Sequence, residues 1–192
     1  MSQPEHGVGQ RISFDGALCT VRYVGPVKST SGSWLGVEWD DPVRGKHDGS
    51  HKDVRYFTCL SKSLTAASFV RPTRPAERSQ SFIAALKDKY ASVDGDGVSQ
   101  SAATQQIVIS GKVAEEVGFD KIRRKQAQVK ELKVVLLDGH RVARARDDGE
   151  PSIEETCPSI TQLDLSRNLL ENLRPVIEVC RSLSVLTSLS IK

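Results

Sequence analysis

The sequence predicts a multidomain protein. A small all-β domain, antiparallel and barrel-like, is expected over residues 1–75, and an α/β solenoid of repeats over 129–192, with a helix and flexible linker over 76–128. Three observations carry this reading. Seven of the ten aromatic residues lie in the first 69 positions, and eight of the fourteen glycines in the first 49, which suits tight turns between short strands. Stretches in that region alternate apolar and polar residues. Near the other end, apolar residues recur at a long, nearly constant step.

In chain order, Arg11-Ile-Ser-Phe14 and Leu18-Cys-Thr-Val-Arg-Tyr-Val24 read as strands, with Asp15-Gly16 as the hairpin signal between them. Trp34 to Trp39 and Val54 to Cys59 read as two more, and Phe69-Val70 closes the set before Pro72 and Pro75. Trp39 and Phe69 are expected to pack inward. Between the strands lies the pentad Gly45-Lys46-His47-Asp48-Gly49. Two glycines bracketing a cation, an imidazole and a carboxylate concentrate backbone freedom and polar groups on one loop. Beside so many aromatics, such a loop is what a shallow peptide groove needs: apolar walls for area and a few fixed donors for orientation. An ordinary hairpin loop over a small β core has the same composition.

Ser79 to Ala91 has helical spacing, with Phe82, Ile83, Leu86 and Tyr90 on one face and Ser79 or Ser81 able to cap its start. Val93 to Gln106, rich in Ser, Gly, Asp, Gln and Ala, reads as a hinge that would let two domains engage one partner independently. Asp94-Gly-Asp-Gly97 lacks the later ligands of a calcium loop.

The run Ile160-Thr-Gln-Leu163-Asp-Leu165-Ser-Arg-Asn168-Leu-Leu170 fits the leucine-rich repeat pattern Leu-x-x-Leu-x-Leu-x-x-Asn-x-Leu. Leu163, Leu165 and Leu170 would be its framework, with Asn168 bonding loop backbone between coils. A weaker copy holds Leu132, Val135, Leu137 and Val142, and a third begins at Leu186, Leu189 and Ile191. The equivalent strand positions Val135, Leu163 and Leu189 are 28 and 26 residues apart. Pro175 is placed to start a helix whose face would carry Leu173, Val176, Ile177, Cys180 and Leu183. The third copy stops short of its Asn position, so the chain is expected to be a fragment of a longer protein or the product of an incompletely defined gene.

The N-terminal landmarks resemble the CAP-Gly family, the glycine-rich modules of microtubule- and tubulin-handling proteins. From about Val8 to Pro72 they include Thr20-Val-Arg-Tyr-Val-Gly-Pro26, Trp34-Leu-Gly-Val-Glu38, Asp41-Pro42, the pentad with Ser50, Val54-Arg-Tyr-Phe57, Cys59 and Phe69-Val-Arg-Pro72. One position departs: the family reads Gly-Lys-Asn-Asp-Gly, and His47 stands at the Asn. The resemblance implies a groove for acidic tails ending in Glu-Glu-Tyr or Glu-Glu-Phe, such as that of α-tubulin. Tyr23, Trp34 and Phe57 would carry the terminal aromatic, and Lys46 would face the acidic residues and the free carboxylate. Backbone N–H groups around Gly45 and Gly49, with His47, would fix the chain end. Asp48 would structure the loop by accepting backbone hydrogen bonds. An imidazolium at His47 would tighten binding as pH falls from 8 to 6; a surface substitution without ligand contact would not.

A CAP-Gly module ahead of leucine-rich repeats further resembles the tubulin-folding cofactors. That implies a chaperone-like protein of the cytoplasm and cytoskeleton that binds α-tubulin by tail and body. It would act with other tubulin-folding cofactors to assemble and dismantle the αβ-tubulin dimer. The alternative is a microtubule-associated adaptor using the same groove.

Other classes find little support. The net charge of +3 is too mild to argue for nucleic acid, and Asp40, Asp41, Asp48 and Asp53 interrupt the positive charge such a surface needs. A basic run at Lys121, Arg123, Arg124, Lys125 and Lys130 has the composition of a solvated helix face or of a contact with an acidic partner. Cys19, Cys59, Cys157 and Cys180 are far apart with no Cys-x-x-Cys spacing, as expected of a reduced intracellular protein. No apolar run approaches the ~20 residues that cross a bilayer, so no membrane role is expected. No phosphate loop, nucleophile elbow or metal-ligand cluster is found, so neither enzyme, cofactor nor metal is expected.

Overall fold

The computed structural model describes residues 6–91 and 128–191. The expected linker at 93–106, the Asp94–Gly97 loop and the basic run at 121–125 lie outside these. The chain divides into two compact units, one running up to Ser79 and including Arg167–Leu173, the other from Gln80 to Ser166 and from Arg174 onward.

The first unit is built on an antiparallel sheet in the order β1 (Arg11–Phe14), β2 (Ala17–Pro26), β3 (Ser33–Trp39), β6 (Ala67–Val70), with a hairpin of β4 (Ser50–His51) and β5 (Val54–Arg55) between β3 and β6. The order is open where a barrel-like closure was expected. Asp15 (φ 50°) and Gly16 (φ 76°) both adopt positive φ, the geometry that matches strand twist in a two-residue hairpin. One face of the sheet buries Ile12, Phe14, Cys19, Val21, Leu35, Val37, Trp39 and Val70, with Phe14 and Trp39 edge to face at 6.3 Å.

β3 is buried on both faces from Leu35 to Trp39. Its odd-numbered residues line the core, while Gly36 and Glu38 face the other way, under the segment that follows β5. Glu38 is held there by Arg22 Nε at 2.8 Å and by the Ser61 backbone N–H at 2.8 Å. A register shift in β2 between Val21 and Tyr23 sets Tyr23 opposite Gly36. The strand expected over Val54–Cys59 stops at Arg55, because the N–H groups of Tyr56 and Phe57 both turn to the Gly49 carbonyl.

In the second unit, β7 (Gln80–Ser81) leads into α1 (Phe82–Tyr90), whose start Ser81 caps by accepting the Ala84 N–H. Three parallel strands follow in the order β11 (Ser188–Ser190), β10 (Gln162–Asp164), β8 (Val134–Leu136), with Val135, Leu163 and Leu189 side by side. Strand β9 (Val142–Arg144) pairs in parallel with β7. The short α2 (Ile153–Thr156) opens with a reciprocal Ser152–Glu155 capping box. Helix α3 (Arg174–Ser182) precedes β11.

Two expectations change here. Helix α1 belongs to this unit rather than to a connector: Phe82, Ile83, Ala85 and Leu86 are buried. Its Lys89 ammonium donates to the Leu136 carbonyl (2.6 Å) and its Tyr90 hydroxyl accepts the Leu136 N–H (3.0 Å), so α1 covers the free edge of β8. On α3 and the turn after it, the buried residues are Val176, Val179 and Leu183, with Cys180 only partly covered, Ile177 48% exposed and Leu173 59% exposed. Positions 176, 179 and 183 share a helical face from which Ile177 is turned by about 100°. Among the described residues no helix is long and apolar enough to cross a membrane.

Candidate functional site

The glycine loop is fixed by its backbone. The N–H groups of Lys46 and His47 both donate to the Ala67 carbonyl (2.7 and 3.1 Å), and Ala67 N–H returns to the His47 carbonyl (2.8 Å). Gly45 lies so close to the start of β6 that a β-carbon on it would stand 2.4 Å from the carbonyl oxygens of both Thr65 and Ala67. At Gly49 (φ 99°) a β-carbon would stand 2.1 Å from the Phe57 carbonyl oxygen. Both glycines are therefore close-approach positions. Gly49 N–H donates to His47 Nδ1 (3.0 Å), and Ser50 N–H to Asp48 Oδ1 (3.2 Å).

Within the loop, the backbone N–H groups of Lys46, His47, Gly49 and Ser50 are bonded to internal acceptors. Lys46 keeps an exposed side chain at the outside of the loop.

Asp48 braces the loop and is itself neutralised. Arg55 donates one guanidinium N–H to its carboxylate (2.6 Å) and another to its carbonyl (3.2 Å). That pairing, with the Ser50 hydrogen bond, holds the Asp48 carboxyl down at about 2.

Five rings surround Phe69: His47 (4.7 Å between centroids), Tyr56 (5.3 Å), Phe57 (5.9 Å), His51 (6.3 Å) and Tyr23 (6.4 Å). Phe69 was expected in the core. Instead it lies partly exposed at the centre of this group, while Val70 and Trp39 take the core face. The tyrosines are anchored at their tips, Tyr23 donating to the Pro26 carbonyl and Tyr56 accepting the Lys28 N–H, both at 2.7 Å. Phe57 is 8% exposed.

The structure thus gathers Tyr23, His47 and Phe57 around a residue that the sequence had assigned elsewhere. Trp34 stands apart: among the described residues it makes no ring contact with this group. Its ring is covered by the Arg71 guanidinium at 3.6 Å, and its indole N–H donates to Thr30 Oγ1 at 2.8 Å. Gly36, Tyr56 and His51 were not foreseen, although the chain signals two of them by Tyr56-Phe57 adjacency and the His47-x-x-x-His51 spacing. Among the described residues no group of three or more side chains could hold a metal ion. Of the repeat positions, Leu163, Leu165 and Asn168 are buried and Leu170 is partly covered.

Residues 8–75 match the CAP-Gly domain model, and this module of the chain is a CAP-Gly domain. Nearly the whole chain, moreover, is homologous to proteins named tubulin-specific chaperone E. It is 39% identical to that of Homo sapiens over 184 residues, 41% to that of Danio rerio over 185 and 34% to that of Drosophila melanogaster over 185, each alignment covering 96% of this chain. It spans about a third of the length of these relatives, 34%, 33% and 34% respectively.

Proposed function

We propose that this chain is the tail-capturing part of a tubulin-folding cofactor, a non-enzymatic chaperone of the cytoplasm and cytoskeleton. Its CAP-Gly groove takes the acidic, aromatic-ended C-terminus of α-tubulin. The carrying observation is the ring cluster around Phe69 beside the exposed Lys46, on a loop that its own hydrogen bonds hold rigid. The terminal aromatic of a tail packs on Tyr23, Tyr56 and Phe69, with Phe57 as their floor, and Lys46 pairs with the tail's carboxylates. Arg55 keeps Asp48 from repelling an acidic ligand. Trp34, under Arg71, lines the approach rather than the aromatic subsite.

In this reading the second unit begins a leucine-rich repeat solenoid. The parallel strands β8, β10 and β11, with Val135, Leu163 and Leu189 in register, support it. So does the Thr161 hydroxyl on the Lys133 carbonyl, repeated one strand on by Thr187 on Thr161 (both 3.0 Å). The repeats engage the tubulin body, and together with other cofactors the protein assembles and dismantles the αβ dimer. The names of the homologues support tubulin as the partner.

The test is calorimetric titration of the 192-residue chain with a peptide ending in Glu-Glu-Tyr, beside the same peptide amidated at its C-terminus. Binding that requires the free carboxylate and falls at least tenfold in Lys46→Ala supports the reading. No binding to either peptide overturns the groove assignment.

A further inference from the structure

His47 sits mid-loop with both backbone groups bonded to Ala67 and its ring tilted 31° against Phe69 and edge-on to Phe57 (centroids 6.2 Å). Its Nδ1 receives the Gly49 N–H at 3.0 Å. A backbone amide can only donate, so Nδ1 presents its lone pair and the ring proton resides on Nε2. Nε2 in turn is closed off from solvent and has no hydrogen-bond partner among the described residues. An imidazolium in this seat would oppose one N–H to another and would bury a charge among rings.

We propose that His47 is a positioning residue, not a ligand donor. Its neutral imidazole locks the glycine loop onto the aromatic cluster, so that acidification loosens the loop and weakens tail binding. The proposal rests on the groove being the tail site, and it reverses the expectation that a charged imidazole would attract the tail.

The charged and titratable groups around the ring agree with a neutral state. Asp48 favours the proton, but Arg55 already neutralises that carboxylate, and His51 disfavours it. Lys46 adjoins it in the chain, β6 contributes the Phe69 ring and the Ala67 backbone, and the segment after β5 contributes the Phe57 ring. Burial of the ring, the largest influence, pushes the His47 pKa below its ordinary 6.5. A base whose folded pKa is lowered is protonated first in the loosened loop. The lock is therefore complete above about pH 6.5 and is lost as pH falls below that value.

Asparagine supplies the control, since its side-chain carbonyl can accept the Gly49 N–H and does not titrate. Two measurements on the 192-residue chain test the proposal. Long-range ¹H–¹⁵N correlation of the His47 ring at pH 7.5 is expected to give an unprotonated Nδ1 and a protonated Nε2; the other tautomer or a charged ring overturns it. Titration with the Glu-Glu-Tyr peptide from pH 7.5 to 5.5, a range in which the peptide's carboxylates stay mostly ionised, is expected to weaken by about fivefold or more in wild type relative to His47→Asn. Parallel profiles, or binding that tightens in acid, overturn it. Should wild type not bind at pH 7.5, the groove assignment fails separately, and protection of the Gly49 amide from exchange is compared instead. Protection lost in acid by wild type but kept by His47→Asn supports the lock; equal behaviour overturns it.

Discussion

Phe57 packs directly on Gly36: a β-carbon on Gly36 would stand 2.3 Å from Phe57 Cε1 and 3.0 Å from the Tyr23 β-carbon. The glycine makes the second face of β3 into a seat for the aromatic cluster. Gly36→Ala is expected to cost about 1–3 kcal/mol through overpacking. Its unfolding temperature should fall by several degrees and its peptide affinity with it. An unchanged melting curve would mean that Phe57 moves aside freely.

Glu38, on the same face, is buried while bonded to Arg22 and to the Ser61 N–H. Glu38→Ala should destabilise the first unit by about 2 kcal/mol, since it leaves the partly covered Arg22 guanidinium and the Ser61 amide without their acceptor. Urea unfolding measures the loss, and faster amide exchange at Ser61 locates it.

The Asp48–Arg55 pair gives a pH signature. A carboxyl whose folded pKa is depressed to about 2 contributes stability that is complete above its unfolded value, near 4, and is lost as pH falls toward 2. Carbon-detected titration of the Asp48 carboxyl should place its midpoint near 2, and Arg55→Gln should move that midpoint upward. A midpoint near 4 in wild type would show the pair to be absent in solution.

Thiol chemistry separates the cysteines. Burial pushes Cys19 and Cys157 up to about 12, and both are wholly covered, whereas Cys59 and Cys180 are partly exposed and raised less. A thiol reagent at pH 8 should therefore label Cys59 and Cys180 first, and all four only after denaturation. Early modification of Cys19 would contradict the packing of the core.

What was legible in the chain was local or repeated. Alternation and the Asp15-Gly16 pair mark β1 and its turn because a two-residue hairpin depends on those residues alone. The steps of 28 and 26 residues bring Val135, Leu163 and Leu189 abreast because equal chain lengths return to equal heights in stacked strands. Phe69 was misjudged because alternation assigns residues to two faces without saying that both are covered, and its cover comes from segments 12 or more residues away. The role of α1 was hidden for the same reason: Lys89 and Tyr90 look like an ordinary polar flank, and the strand edge they satisfy lies some 46 residues on. Nothing in the sequence tells which nitrogen of His47 accepts the hydrogen bond from the Gly49 N–H.

The docking of α1 on β8 ties together chain on either side of residues 92–127. Helix α1 before them and strand β8 after them both belong to the second unit. A polypeptide severed there would still present Phe82, Ile83 and Leu86 to the hydrophobic interior they fill, and Lys89 and Tyr90 to the strand they border. Residues 1–91 and 128–192, expressed as separate chains, are thus expected to find each other and copurify as a complementing pair.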